Sequence, residues 1–232
     1  MSEAGHLENH RQISDGWARA AIFGVSDGLV TNVSLIMGFS GAHPGNSVVR
    51  LAGLAGLVAG AFSMGSGEYL SVLAQKELFE REIAVERRAI ADNPESERQE
   101  LFEIFKSRGI EPDLASRLAS ELMKDPDLAL RTHTREELGI DESAVGSPWK
   151  VATWSLLSFA VGALFPLLPW LFFSNRNPVL WSIALGAVGT IIVGGVVGKF
   201  TERGMLRTGL RQFLVTSLAA LVTYSVGRLV GH

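Results

Sequence analysis

The chain has 232 residues, of which 47% are hydrophobic and 19% charged, with no cysteine and a formal net charge of −3. The missing cysteines exclude disulfides, zinc–thiolate and iron–sulfur sites and thiol catalysis. The acidic balance argues against a nucleic-acid partner, and the apolar content excludes a disordered chain.

Charge is distributed unevenly along the chain. Residues 75–147 contain 18 of the 24 Asp and Glu residues but only 11 of the 21 Lys and Arg residues, so this segment has a net charge of −7. The remainder of the chain has a net charge of +4. The sequence therefore joins two parts of different chemistry.

Five long runs without a charged residue lie outside the acidic segment, at residues 28–49, 51–67, 151–175, 177–198 and 212–227. A helix needs about 20 mainly apolar residues to cross the hydrocarbon core of a bilayer, and the two shorter runs reach this length with flanking residues. Buried helices of a soluble protein would give shorter runs with a polar stripe. We therefore predict an all-α integral membrane protein with five transmembrane helices in the lipid bilayer.

This prediction divides the chain into three segments. Residues 1–74 form an N-terminal segment with spans one and two, residues 75–147 form a small helical domain, and residues 148–232 form spans three to five.

Lys and Arg residues on successive connections predict the orientation, because positive residues are retained on the cytoplasmic side. Alternate connections contain 18 and three of them, the larger set beginning with Arg11 and the smaller being Arg50, Arg176 and Arg228. This count places the N-terminus and the acidic domain in the cytoplasm. The short polar N-terminus without a targeting extension favours a bacterial plasma membrane, or a vacuolar-type membrane in a eukaryote.

The first predicted span contains a carboxylate, Asp27, with Thr31, Asn32 and Ser34 nearby. A central Asp costs about 2.5 to 3.5 kcal/mol to insert, so such a residue usually marks an ion or proton path. The alternative is that Asp27 caps a broken helix or pairs with Arg19.

The second span combines a glycine face with two candidate pathway residues. Gly53, Gly56 and Gly60 have the spacing that close helix packing requires. Met64 is filler in most membrane helices, but its thioether is also a soft ligand for transition metals. Glu68, one turn further on, is either an entry ligand near the cytoplasmic mouth or an interfacial group.

The acidic domain is predicted to contain three or four helices, with breaks near Pro94, Pro112, Pro126 and Gly139. Its acidic residues have helical spacing, so that members of one set share a helix face: Glu82 with Glu86, and Glu97 with Glu100 and Glu103. Several carboxylates suit Mn²⁺, Fe²⁺ or Ca²⁺. The alternative is a solvated face neutralised by nearby arginines.

Four motifs resemble those of the vacuolar iron transporter family: IFGVSDGL at residues 22–29, GAFSMG at 60–65, GIEP at 109–112 and ELG at 137–139. The resemblance covers nearly the whole chain. It implies a five-span homodimer that exchanges cytosolic Fe²⁺, and often Mn²⁺, for protons.

The same resemblance implies roles for individual residues. Asp27 would couple metal to protons and Met64 would be the soft ligand beside it. In the domain, the positions that match metal ligands of the family are Glu86, Glu97, Glu100 and Glu137.

The sequence departs from the family pattern at three places. Gly56 and Ala89 replace glutamates of some members, and His133 with Thr134 replaces paired methionines. His133 could stand in for a methionine as a borderline ligand that favours Fe²⁺ or Mn²⁺, although a lone exposed histidine is commonly inert.

The resulting hypothesis is a homodimeric antiporter that moves Fe²⁺ or Mn²⁺ out of the cytosol through a pathway containing Asp27, Met64 and Glu68, without a prosthetic group. A competing hypothesis is a non-transporting membrane protein whose acidic domain senses or buffers metal. We do not expect an enzyme, since the sequence has no nucleophile paired with a base, no phosphate-binding loop and no histidine cluster.

Overall fold

The computed structural model describes residues 16–139, 146–172 and 177–231, and the regular elements in these ranges are all α-helices. In chain order they are α1 (Trp17–Gly41), α2 (Asn46–Asp92), α3 (Pro94–Ser107), α4 (Pro112–Leu122), α5 (Pro126–Glu136), α6 (Pro148–Phe172), α7 (Pro178–Phe200) and α8 (Met205–Val230). The predicted all-α class is confirmed. Arg11 and Arg176, which contribute to the predicted orientation, lie outside the described residues, as does the end of the third charge-free run.

Five of these helices, α1, α2, α6, α7 and α8, are long and apolar enough to cross a membrane. Each charge-free run lies wholly or largely on one of these helices, so the prediction of five spans is confirmed by length and composition. α2 is 47 residues long because its apolar first half continues without a break into a charged second half.

The chain divides into two compact units. The first, which we call the membrane unit, comprises Met1–Leu70 and Ser147–His232, and the second, the acidic unit, comprises Ser71–Gly146. α2 contributes residues to both units.

Within the membrane unit, α1 and α6 approach so closely that their contact has no room for side chains. A Cβ added at Gly28 would lie 2.1 Å from the carbonyl oxygen of Phe159, and one at Gly162 would lie 2.1 Å from that of Val25. Lipid tails are as apolar as the helices, so such close backbone packing is a main source of association between spans. Gly24 and Gly28 of the first span therefore pack against α6.

Apolar side chains around this contact form the core of the membrane unit. One cluster joins α1, α2 and α6 through buried residues: Leu29, Val33, Ile36, Met37, Val49, Leu167 and Trp170. Two buried polar side chains of the spans have partners within the membrane unit, as a bilayer favours. The Asn32 side-chain amide donates to the carbonyl of Ala163 at 2.6 Å, and the Trp170 indole donates to Ser182 at 2.9 Å.

The acidic unit contains the second half of α2 and three short helices. α3, α4 and α5 each begin with a proline, at Pro94, Pro112 and Pro126. Proline suits the first helical position because its missing N–H has no intrahelical partner there and its φ is preset. The breaks predicted at these prolines are confirmed.

Two apolar clusters hold these helices together. Leu101 and Phe105 of α3 pack against Ala115 and Ala119 of α4. A second cluster joins α2 to α5 through Ile90, Ala129 and Leu130. The helices that carry the acidic residues are therefore held by small but distinct cores.

We expect Gly28→Ala to destabilise the membrane unit, because its new methyl group would overlap the Phe159 carbonyl and overpacking costs about 1 to 3 kcal/mol. The matched control is Gly67→Ala in α2, where a Cβ meets nothing within 4 Å and helix propensity improves by about 0.5 to 1 kcal/mol. Thermal unfolding of the detergent-solubilised protein, followed by tryptophan fluorescence, measures both. Equal melting temperatures for the two variants would contradict the close α1–α6 contact.

Candidate metal centre

Three carboxylates of the acidic unit converge on the imidazole of His133. Its Nδ1 atom lies 3.1 Å from Glu86 Oε1, 3.8 Å from Glu97 Oε2 and 3.7 Å from Glu137 Oε2. One potential ligand atom from each of Glu86, His133 and Glu137 lies within 4.8 Å of the others. We call these four side chains the His133 cluster.

The apolar packing of the acidic unit brings the cluster together. Glu86 lies one turn before Ile90 on α2, and Ile90 packs against Ala129 and Leu130, about one turn before His133 on α5. The contact that joins the two helices therefore also places Glu86 beside the imidazole, since residues three or four apart share a helix face.

The remaining two carboxylates are placed by helix ends. Glu137 is the C-cap of α5, four residues after His133, and its N–H donates to the His133 carbonyl. Glu97 lies in the first turn of α3, which Pro94 begins directly after α2 ends at Asp92. The short connection between α2 and α3 keeps Glu97 close to Glu86 in space.

Three of the four members of the cluster are buried, Glu137 is exposed, and several polar atoms of the buried members lack hydrogen bonds. His133 is 0% exposed, Glu86 7% and Glu97 9%. Among the described residues, Glu86 Oε1 and both ring nitrogens of His133 have no hydrogen-bond partner. A buried polar atom without a partner costs about 1 to 3 kcal/mol, so these donor atoms call for an additional group.

A divalent transition metal fits this set of donor atoms. Imidazole nitrogen and carboxylate oxygen bind such ions at about 2.0 to 2.2 Å, which places neighbouring ligand atoms about 3 to 3.5 Å apart. The distances from Nδ1 to the three carboxylates are close to this range. Mixed nitrogen and oxygen ligands without sulfur suit Fe²⁺, Mn²⁺ and Zn²⁺ better than soft ions such as Cu⁺.

The crowding of carboxylates changes their protonation. Burial, followed by the charges of Glu137, Glu97 and Glu100, raises the pKa of Glu86 to about 7. Burial and the charge of Glu100 also raise the pKa of Glu137. Both shifts arise because a second or third negative charge in a poorly solvated space is unfavourable unless a proton or a cation offsets it.

The structure thus brings together Glu86, Glu97, Glu137 and His133 out of the candidate ligands proposed for this segment. Glu100 is exposed on α3, near enough for its charge to raise the pKa of Glu86 and Glu137. His133 is fully buried and so is not the exposed histidine of the alternative, and its role as a ligand stays a prediction.

The neighbouring acidic residues of the same helices behave as a solvated face. Glu103 is exposed and pairs with Lys106 at 3.3 Å, and Glu80 pairs with Lys76 at 3.6 Å. Helical spacing alone does not separate Glu97 from Glu103, because the rotation of α3 about its axis decides which of them points inward.

Arg108 and Glu136, for which no motif in the sequence indicates a role, form an ion pair beside the His133 cluster. The one sequence signal for Glu136 is its position directly before Glu137. Nothing in the sequence indicates that Arg108, 28 residues earlier, is its partner.

The three pathway candidates lie in the membrane unit. Asp27 is the eleventh of the 25 residues of α1, about 15 Å along its axis, and Thr31 Oγ1 donates to its Oδ1 at 3.3 Å. Asp27 is thus in mid-helix and does not cap a helix end. Its hydrogen-bond partner is the hydroxyl of Thr31, and Arg19 lies two turns before it.

Met64 and Glu68 are half-buried residues of α2. Met64 packs beside Ala61 and Phe159, in an apolar cluster. Glu68 precedes Tyr69, whose ring lies 4.7 Å from that of Trp149, an aromatic pair typical of a membrane interface.

The chain is similar to a known group of membrane proteins over nearly its whole length. The model of the VIT family matches residues 18–228. A "Vacuolar iron transporter 1" of Oryza sativa subsp. japonica is 32% identical over 231 residues, covering 99% of this chain and 92% of the relative.

Two further relatives have comparable similarity. "Vacuolar iron transporter 1" of Arabidopsis thaliana is 31% identical, covering 98% of this chain and 91% of the relative. "Vacuolar iron transporter" of Acanthamoeba castellanii is 33% identical, covering 91% and 78%. The names of these relatives refer to a vacuole and do not support the expected bacterial plasma membrane.

The raised pKa of Glu86 predicts how the stability of the metal-free acidic unit depends on pH. Between the ordinary value of 4.5 and about 7, the folded state holds a proton that the unfolded state releases. Folding stability should therefore be highest below this window and fall as the pH rises through it. Glu86→Gln should remove most of this dependence, because the amide carries no charge at any pH.

Hydrogen–deuterium exchange of α5 in the presence of a chelator, corrected for the intrinsic pH dependence of exchange, measures this effect. Glu80→Gln, an exposed carboxylate of the same α2 helix, is the control and should behave like the wild type. Equal protection of α5 at pH 5 and pH 8 in the wild type would contradict the electrostatic account of the cluster.

Proposed function

The chain belongs to the VIT family, and from this membership we propose that it carries Fe²⁺, and also Mn²⁺, out of the cytosol in exchange for protons. The observation that carries the choice of cargo is the His133 cluster, in which Glu86 Oε1 and the ring nitrogens of His133 are buried without hydrogen bonds. The relatives named as iron transporters support the same cargo.

In this proposal the acidic unit binds the metal on the cytosolic side. Glu86, Glu97, Glu137 and His133 are its ligands, and Glu100 adds negative charge beside them. His133 takes the place of a thioether ligand and shifts the preference toward borderline ions. Residues 75–147 are accordingly the metal-binding domain, placed in the cytoplasm together with the N-terminus by the distribution of Lys and Arg.

The spans supply the pathway, in which Asp27 exchanges protons for metal and Met64 and Glu68 are further contact points for the ion. Support comes from the position of Asp27 near the middle of α1 and from the cost of a carboxylate there. A carboxylate binds either a proton or a metal ion, and this competition couples the two flows. The functional unit is a homodimer, as the family resemblance implies.

The rival function is metal sensing or buffering without transport. It accounts for the His133 cluster equally well but leaves Asp27 without a role, since a membrane anchor gains nothing from a buried carboxylate. A reconstituted protein that binds Fe²⁺ and carries none across a membrane would favour this rival.

We predict that Asp27→Asn abolishes metal uptake driven by a pH gradient in proteoliposomes, because an amide cannot exchange a proton for a metal ion. Fe²⁺ or Mn²⁺ entry is followed with a metal-quenched dye inside the vesicles. Glu202→Gln, an exposed acidic residue between α7 and α8, is the matched control and should retain uptake. Gradient-driven uptake by Asp27→Asn at the wild-type rate would contradict the coupling role.

The cargo site has a separate test, in which the variant and its control each remove two carboxylates from α3. Glu97→Ala with Glu100→Ala should weaken Fe²⁺ binding by more than about 100-fold, since loss of a direct ligand should exceed the effect of losing an outer partner. Glu95→Ala with Glu103→Ala removes two carboxylates of the same helix that pair with Arg98 and Lys106 and should have little effect. Anaerobic calorimetry measures both, and equal affinities would rule out the cluster as the binding site.

A further inference from the structure

The guanidinium of Arg108, at the end of α3, contacts the last turn of α5. Arg108 is the C-cap of α3, and its Nη2 atom donates to the backbone carbonyl of Glu136 at 3.4 Å, while Nη1 forms an ion pair with Glu136 Oε2. One side chain therefore contacts both the main chain and the side chain of one residue. Glu136 lies between His133 and Glu137 in sequence, at the end of α5.

This contact lies at the turn of α5 that holds two members of the His133 cluster, His133 and Glu137. The last carbonyls of a helix have no intrahelical partners, and a cation at this end is favourable because it also meets the negative end of the helix dipole. Glu136 has a half-buried carboxylate, 19% exposed, and its buried oxygen faces Arg108. The contact thus connects the end of α3 to the turn that presents His133 and Glu137.

The apolar contacts of α5 attach its first half, and not its last turn, to α2. Ala129 and Leu130 attach its first half to α2 through Ile90. Among the described contacts, Arg108 with Glu136 links the last turn of α5 to the end of α3, while His133 with Glu97 links it to the beginning of α3. α3 is also the helix that carries Glu97, so this link relates Glu97 to His133 and Glu137.

We propose that Arg108 is a positioning residue for the metal centre, holding the end of α5 so that His133 and Glu137 face Glu86 and Glu97. This inference rests on the proposed function of the cluster. Arg108 does not contact the ion, and its charge repels a bound cation.

Because of this repulsion, the sign of the effect distinguishes a positioning role from a purely electrostatic one. Removing a cation beside a cluster of carboxylates would, by charge alone, strengthen cation binding. Releasing the last turn of α5 would instead weaken binding, because two of the four ligands lose their placement. Mutation of outer partners that orient metal ligands lowers affinity by about 10- to 100-fold.

The test is a Mn²⁺ titration of the full-length protein in detergent, following the electron paramagnetic resonance signal of free Mn²⁺. Arg108→Met should raise the Kd by about 10- to 100-fold. Arg108→Lys keeps the charge but has a single nitrogen for the two oxygens of Glu136, so it should recover part of the affinity. The matched control, Lys106→Met, removes an exposed cation from the same turn and should leave the Kd unchanged or slightly lower.

A second variant guards against loss of folding in Arg108→Met. Glu136→Gln keeps the backbone carbonyl and removes the ion pair, so it should weaken Mn²⁺ binding less than Arg108→Met. Unchanged or tighter binding in both variants would overturn the positioning role while leaving the metal site intact. A wild-type protein that binds no Mn²⁺ would overturn the proposed function and this inference with it.

Discussion

Mutual repulsion among buried carboxylates is the constraint on which the acidic unit depends. Glu86, Glu97 and Glu137 lie within 3.8 Å of one imidazole nitrogen, and two of the three are largely excluded from solvent. Burial, followed by the charges of the neighbouring carboxylates, raises the pKa of Glu86 to about 7, because such a group is unfavourable unless protons or a cation offset its charge. The fold maintains the arrangement because apolar packing on the adjacent helical turn, at Ile90, Ala129 and Leu130, outweighs the repulsion.

The helices of the membrane unit need another source of attraction. In lipid, apolar surface gives no net attraction between helices, so α1 and α6 associate through direct backbone contact at Gly28 and Gly162. This contact fixes α1, the helix that carries Asp27. Each unit thus holds ionisable groups whose burial is unfavourable. In the membrane unit, close packing at small residues holds the helix of Asp27 in place. In the acidic unit, a small apolar cluster holds the helices that carry Glu86 and His133.

Much of this organisation could be predicted from the sequence because it depends on local signals. Charge-free runs of about 20 residues specify spans, and prolines at the first helical position specify where α3, α4 and α5 begin. The family motifs reduced the 18 acidic residues of the segment to four candidate metal ligands, Glu86, Glu97, Glu100 and Glu137. The sequence could not show that Glu97 points inward while Glu103 pairs with Lys106 in solvent, because both have the same helical spacing. Nor could it show that His133 is buried, since a single histidine on a short helix has no pattern from which its burial can be inferred.

Composition and periodicity by themselves therefore determined the helical class, the number of candidate spans, the acidic segment and the presence of Asp27 within a span. These properties follow from neighbouring residues along the chain, whose transfer energies and helix signals are independent of the rest of the fold. Only the tertiary structure decided which carboxylates meet His133 and that Arg108 reaches Glu136. Both depend on how helices distant in sequence pack and rotate against one another, and that relation is set by side-chain contacts such as Ile90 with Ala129.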